Sequence, residues 1–231
     1  SRTGKRRADG QPRKPAAANA LRTSLRVFFG FCHEAAWAKR NAARLLRRAL
    51  CSPPPPRALS EKEMGKLMAA LDEAKTDAEV RDRALFRLLA ETGMRIGSAL
   101  GVEVADLDWE GGWVWLRTMK RQQVGRVALP GNTARMLTDW LGERDSGAVF
   151  PGMSPRHAQR RFQMWLRRAG LSPAFSPHSL RHSFATRLYR ETRDLLVVKE
   201  ALLHRNLEST LVYARASGAS LKTATDWSQN C

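Results

Sequence analysis

Apolar positions recur at helical spacing along nearly all of this chain, with one short stretch of strict alternation. Leu21, Leu25, Phe28, Phe29, Cys32 and Ala36 share one face of a helix that begins near residue 16. Ala43, Leu45, Leu46 and Leu50, set among Arg44, Arg47 and Arg48, predict a second and shorter helix. The run Ser52-Pro-Pro-Pro-Pro56 cannot continue a helix and reads as a stiff extended spacer. Beyond it, Ser60 followed by Glu63 has the form of a capping box, which marks a helix start. A helix over about 78–91 stops at Thr92-Gly93, and another begins near Ile96. Residues 113–118 alternate as a strand does, 125–130 read as its return partner, and 120–124 form the hairpin tip. Helical spacing resumes over about 132–142, 155–169, 178–190, 194–203 and 207–214, and once more near 219–227. The fold class expected is mainly α with a small antiparallel β-sheet, an α+β arrangement.

Charge narrows the class of partner. The 231 residues carry a net charge of +18 and a pI near 11.1, an excess that favours a polyanion, nucleic acid before an anionic membrane surface. It is unevenly spread: residues 1–58 hold fourteen Lys/Arg against two acidic residues, and the remainder 26 against 20. Residues 1–15 read as a basic flexible arm, 16–51 as a partial helical DNA-binding domain and 52–58 as the linker. The candidate DNA contacts are Lys5, Arg6, Arg7, Arg13 and Lys14 on the arm, Arg22, Arg26, Lys39 and Arg40 on the helical segment, and Arg121 at the hairpin tip. No apolar run has the length of a spanning helix, and no signal-peptide core stands at the N-terminus. Cys32, Cys51 and Cys231 are odd in number and widely spaced, so neither a disulfide framework nor a metal site is expected. Those features point to the cytoplasm, in association with the nucleoid.

The candidate chemistry lies in the C-terminal third. His178-Ser-Leu-Arg181-His182 puts an imidazole and a guanidinium on one helix face, since residues three apart are neighbours there. His204 follows on the next segment, and Tyr213 stands nine residues after it. Each residue alone has a plainer reading: Arg181 as a solvated cation, His204 as a surface imidazole, Tyr213 as a core phenol. His178 and His182 could share a zinc ion, but no intervening Glu and no third ligand at a recognised spacing accompany them. Together these groups can hold a phosphodiester, stabilise its charge and attack it with an oxygen nucleophile.

Residues 177–215 resemble the C-terminal signature of the tyrosine recombinases, the phage integrase and Xer group. That signature joins an H-x-L-R-H-x-F-A-T block, an L-L-G-H-like segment and a tyrosine nine residues further on. Arg95, within Thr92-Gly93-Met94-Arg95, matches the family's first catalytic arginine, and Lys120 falls at its β-hairpin lysine. The resemblance covers about 59–215, and residues 21–37 look like the end of the family's helical core-binding domain. Three departures stand out. Ser98 replaces a common acidic residue, Leu203 replaces the glycine before the second histidine, and only 58 residues precede the catalytic region.

The resemblance implies a site-specific recombinase that cleaves and rejoins double-stranded DNA through a 3′-phosphotyrosyl link, in integration, excision or resolution. It implies Tyr213 as nucleophile, Arg95 and Arg181 on the phosphate oxygens and Lys120 as general acid. His178 would help to take the tyrosine proton and His204 would bond the phosphate. No metal or other cofactor is expected. The expected partners are DNA, a homotetramer on two DNA sites and accessory DNA-bending proteins, with no membrane. The tail, 216–231, would dock onto a neighbouring protomer. Two alternatives stand beside this reading: a catalytically silent DNA-binding relative acting as a regulator, and a relaxing enzyme of the type IB topoisomerase kind.

Overall fold

The computed structural model describes residues 15–50, 57–117, 124–203 and 210–213. The chain packs as two compact units, Ser1–Pro54 and Pro55–Cys231, which divide within the proline run. In the first unit, α1 (Pro15–Glu34) follows the apolar spacing, yet of its residues only Cys32 is buried. The short helix expected around Ala43 to Leu50 is absent. Asn41 accounts for this: its side-chain oxygen accepts from the Ala43 amide at 3.1 Å, while its amide nitrogen donates to Arg26 O at 3.0 Å. Asn19 then pairs with both backbone groups of Ala49, and Arg22 Nε donates to Leu46 O at 2.5 Å. The segment is stitched to α1 by side chains in place of its own helical ladder.

The second unit opens with α2 (Glu61–Asp72) and α3 (Asp77–Thr92), each started by a reciprocal capping box, Ser60 with Glu63 and Thr76 with Glu79. The short α4 (Ile96–Leu100) and a single 3₁₀ turn lead into a three-stranded antiparallel sheet. Its strands are β1 (Leu107–Asp108), β2 (Trp113–Arg117) and β3 (Val124–Ala128), in that order. The hairpin register pairs Trp113 with Ala128 and Arg117 with Val124. The hairpin tip lies outside the described residues. Period-two alternation sends Val114 and Leu116 into the core and Trp115 outward, with the Arg126 guanidinium stacked 4.0 Å over Trp113. Helices α5 (Gly131–Leu141), α6 (Pro155–Arg168), α7 (Pro177–Thr192) and α8 (Leu195–Ala201) complete the unit, and residues 210–213 are helical. No helix among the described residues is long and apolar enough to cross a membrane.

The main core sits between α3 and the helices packed on it, around the edge-to-face pair Phe86 and Phe162 and the buried Trp165. A fully buried carboxylate ties its two central helices. Asp82, fully buried on α3, accepts from Arg161 Nε at 2.5 Å and from the indole of Trp165 at 3.0 Å, both on α6, and from Arg81 at 3.1 Å. Removing it strands a buried indole N–H and two cations, so Asp82→Ala lowers stability by about 3 kcal/mol. Equilibrium urea unfolding measures this, and a change below roughly 1 kcal/mol contradicts it. Because α6 and α7 follow one another in the chain and pack together, this tie also fixes the platform beneath α7. That platform carries the candidate residues His178 and Arg181.

Candidate active site

Two sequence features set the position of the first arginine. Helix α3 ends at Gly93, whose φ of 63° is left-handed backbone, and a β-carbon there would run into the Phe184 ring. Glycine is therefore required twice over. The chain leaves that turn through Met94, which is buried, so the next side chain, Arg95, emerges at the surface. Arg181 approaches the same turn from α7. Its Nη1 donates to Gly93 O at 2.5 Å and its Nη2 to Leu202 O at 2.9 Å, just past the end of α8. One guanidinium thus bridges the end of α3 and the end of α8.

Arg181 is 3% exposed. Burial first, and the Arg95 cation second, pull its pKa down to about 10, so it stays charged at neutral pH. Among the described residues neither arginine forms an ion pair with a carboxylate. Two unneutralised guanidiniums this close favour an anion between them.

The start of α7 is held tightly. Pro177 occupies its first turn, Ser176 and Ser179 cap it reciprocally, and the Leu59 amide donates to Ser183 Oγ at 2.7 Å. His178 then lies at the surface, and the ring of His182, one turn on, meets it edge to face with centroids 4.6 Å apart. Desolvation, followed by the charges of Arg181 and Arg95, holds the His178 imidazole below its ordinary pKa.

Tyr213 is 2% exposed and packs in a second apolar cluster with Ala185, Val198 and Leu202. Its hydroxyl lies 3.0 Å from His182 Nδ1. Burial pushes the phenol pKa up, while Arg181 and then Arg95 act in the opposite sense. The sequence directed attention to His178 as the tyrosine's partner, and the structure puts His182 in contact with it. The signal for His182 was available: it stands four residues after His178 and directly after Arg181, but that spacing was weighed only for zinc. Among the described residues no third His, Cys, Asp or Glu joins the two histidines.

Arg95, His178, Arg181 and Tyr213 therefore come together in the second unit. Lys120, His204 and Arg121 lie outside the described residues, as do Lys5, Arg6, Arg7, Arg13 and Lys14. In the first unit Arg22 is engaged with Leu46 O, and Arg26 is half-buried. Lys39 and Arg40 are exposed and line, with His33 and Arg44, a cavity of about 410 Å³.

A second group of residues escaped the sequence reading. Helix α6 buries Ala158, Phe162, Trp165 and Leu166 and presents Arg156, Gln159, Arg160 and Gln163 on the opposite side. Those four residues, with Ile96 and His178, line an open cavity of about 760 Å³. The spacing of three and four residues that made α6 a helix also lines up Arg156, Gln159 and Arg160, while the Gln163 amide is committed to the carbonyls of Pro173 and Phe175.

Comparison with known proteins agrees with this geometry. The sequence pattern of the phage integrase family matches residues 57–219. Tyrosine recombinase XerC of Escherichia coli K12 is 32% identical, and the match covers 91% of this chain and 74% of that protein. Two solved structures share the fold. XerH site-specific recombinase bound to a palindromic difH substrate after cleavage gives a TM-score of 0.78 at 23% identity, over 93% of this chain and 67% of the other. A lambda integrase dimer bound to a COC′ core site gives 0.66 at 18% identity, over 90% of this chain and 61% of the other.

Proposed function

This chain belongs to the phage integrase family, the tyrosine recombinases, and from that premise we propose that it cuts and rejoins double-stranded DNA at specific sites through a 3′-phosphotyrosyl link. The observation that carries the reading is the meeting of two unneutralised arginines with a tyrosine hydroxyl, on elements that a family-length stretch of sequence folds together.

Tyr213 Oη attacks the scissile phosphorus, a new P–O bond forms, and the bond to the 5′-oxygen breaks. Arg95 and Arg181 hold the non-bridging oxygens. Two of the five N–H donors of Arg181 go to backbone carbonyls, which aims the others. His178 helps to take the Tyr213 proton, Lys120 protonates the leaving 5′-oxygen, and His204 hydrogen-bonds the phosphate. The covalent link keeps the phosphodiester energy, so a 5′-hydroxyl from the partner strand reverses the step without a nucleotide cofactor. The arginines supply the positive charge that a metal ion would otherwise bring.

The DNA strand leading to this phosphate lies along α6, where Arg156 and Arg160 border the cavity beside His178. The basic arm and Arg22, Arg26, Lys39 and Arg40 add phosphate contacts. Four protomers on two duplexes, the tail of each docked on its neighbour, and accessory DNA-bending proteins complete the assembly.

Strand exchange between two cognate sites in EDTA tests the reading. Recombinant products at the rate seen without EDTA are expected. Relaxation of any supercoiled plasmid without exchange points to a topoisomerase instead, and strict dependence on added metal excludes the proposed chemistry.

A further inference from the structure

The residue the sequence left unassigned has a geometry of its own. His182 projects from α7 one position after Arg181, and its Nδ1 meets the hydroxyl of Tyr213 at 3.0 Å. The two rings are tilted with centroids 5.7 Å apart, so the contact is a hydrogen bond at the ring edge. The phenol ring meanwhile sits among Ala185, Val198 and Leu202 with 2% of its surface exposed. In that position the hydroxyl is bonded within the domain and is not free at its surface.

We propose that His182 is a positioning residue that holds Tyr213 inside the domain in the resting protein, separate from the part assigned to His178. The inference rests on Tyr213 being the nucleophile. The electrostatics favour a neutral pair. Burial, then His178 and Arg181, lower His182 to about 4, and burial raises Tyr213. At neutral pH the phenol keeps its proton and donates it to Nδ1, the ring proton residing on Nε2. The phenol oxygen is then protonated and engaged with Nδ1, so attack requires that bond to be released.

The hold is shared with the arginine beside it. Arg181 Nη2 binds Leu202 O, and Leu202 belongs to the apolar cluster around Tyr213. Two consecutive residues of α7 therefore secure the nucleophile: one by its hydroxyl, one by the backbone it packs on.

Only two tyrosines exist in this chain, Tyr189 and Tyr213, so nitration by tetranitromethane read by peptide mass spectrometry gives the accessibility of one against the other without DNA. A buried phenol reacts through local opening, and one net hydrogen bond shifts an opening equilibrium by roughly three- to tenfold. His182→Phe keeps a ring and loses the bond. Nitration of Tyr213 relative to Tyr189 should rise by that factor, while initial adduct formation on DNA nicked beside the scissile phosphate is maintained or faster. His182→Asn, whose amide can replace Nδ1, should stay within about twofold of wild type.

A Tyr213-to-Tyr189 ratio unchanged in the Phe variant overturns the proposal, as does a fall in adduct rate at constant nitration, which makes His182 a proton acceptor in catalysis instead. Should the Phe variant unfold and expose both tyrosines, the Asn variant decides: near-wild-type nitration supports the hydrogen bond, and a comparable rise overturns it. Absence of any adduct in the wild type counts against the recombinase reading and leaves the nitration result to stand alone.

Discussion

Tyr213→Phe abolishes the covalent protein–DNA adduct while leaving DNA binding within about twofold. The substitution removes one oxygen, and that oxygen forms the new bond to phosphorus, so the loss is on the order of 10⁴-fold or more. Nothing else in the site moves far. The phenyl ring still fills the cluster of Ala185, Val198 and Leu202, and the missing bond to His182 lowers stability by about 1 kcal/mol. A mobility shift on site-bearing DNA measures binding, and a denaturing gel with nicked substrate measures the adduct. Normal adduct yield in this variant moves the chemistry to another nucleophile, with Tyr189 the next to test.

Arg181→Ala and Arg95→Ala separate in a way that only the structure reveals. Both remove a guanidinium from the phosphate and both cut cleavage by about 10²- to 10³-fold or more, the scale of one lost donor to a developing charge. Arg181, however, also satisfies the carbonyls of Gly93 and Leu202 in a buried place. Its removal leaves both unpaired and lowers stability by about 1–3 kcal/mol, whereas the exposed Arg95 can be removed with little change. Arg181→Lys recovers only part of the rate, because an ammonium cannot serve two carbonyls and a phosphate in one plane. Cleavage kinetics alongside urea unfolding of each variant check this. Equal stability losses for the two arginines contradict it.

Local rules made most of the fold legible. The capping box at Ser60 and Glu63, the stop at Gly93 and the alternation of 113–118 each state their structure within a few residues. Strand β1, only two residues long, carries no period to detect and exists because its backbone pairs with Val114 and Trp113. The helix expected after Asn41 failed for the converse reason. Its apolar spacing was real, but long-range bonds from Asn19 and Arg22 offered the backbone a competing arrangement.

In the site, residue types and order nominated Arg95, His178, Arg181 and Tyr213. Their protonation and partners came only with packing. That Arg181 holds two carbonyls from elements 88 and 21 residues away, and that His182 faces Tyr213 across 31, cannot be read from spacing. The donor row on α6 was readable, since Arg156, Gln159, Arg160 and Gln163 are the polar complement of its apolar face.

The most direct measurement is the identity of the covalent bond itself. The wild-type protein is trapped on DNA carrying a nick beside the scissile phosphate, digested, and the DNA-linked peptide sequenced by mass spectrometry. The predicted product is a peptide joined through Tyr213 to a 3′-phosphate, with a free 5′-hydroxyl on the released strand. A link at Tyr189, at a serine or to a 5′-phosphate contradicts the mechanism.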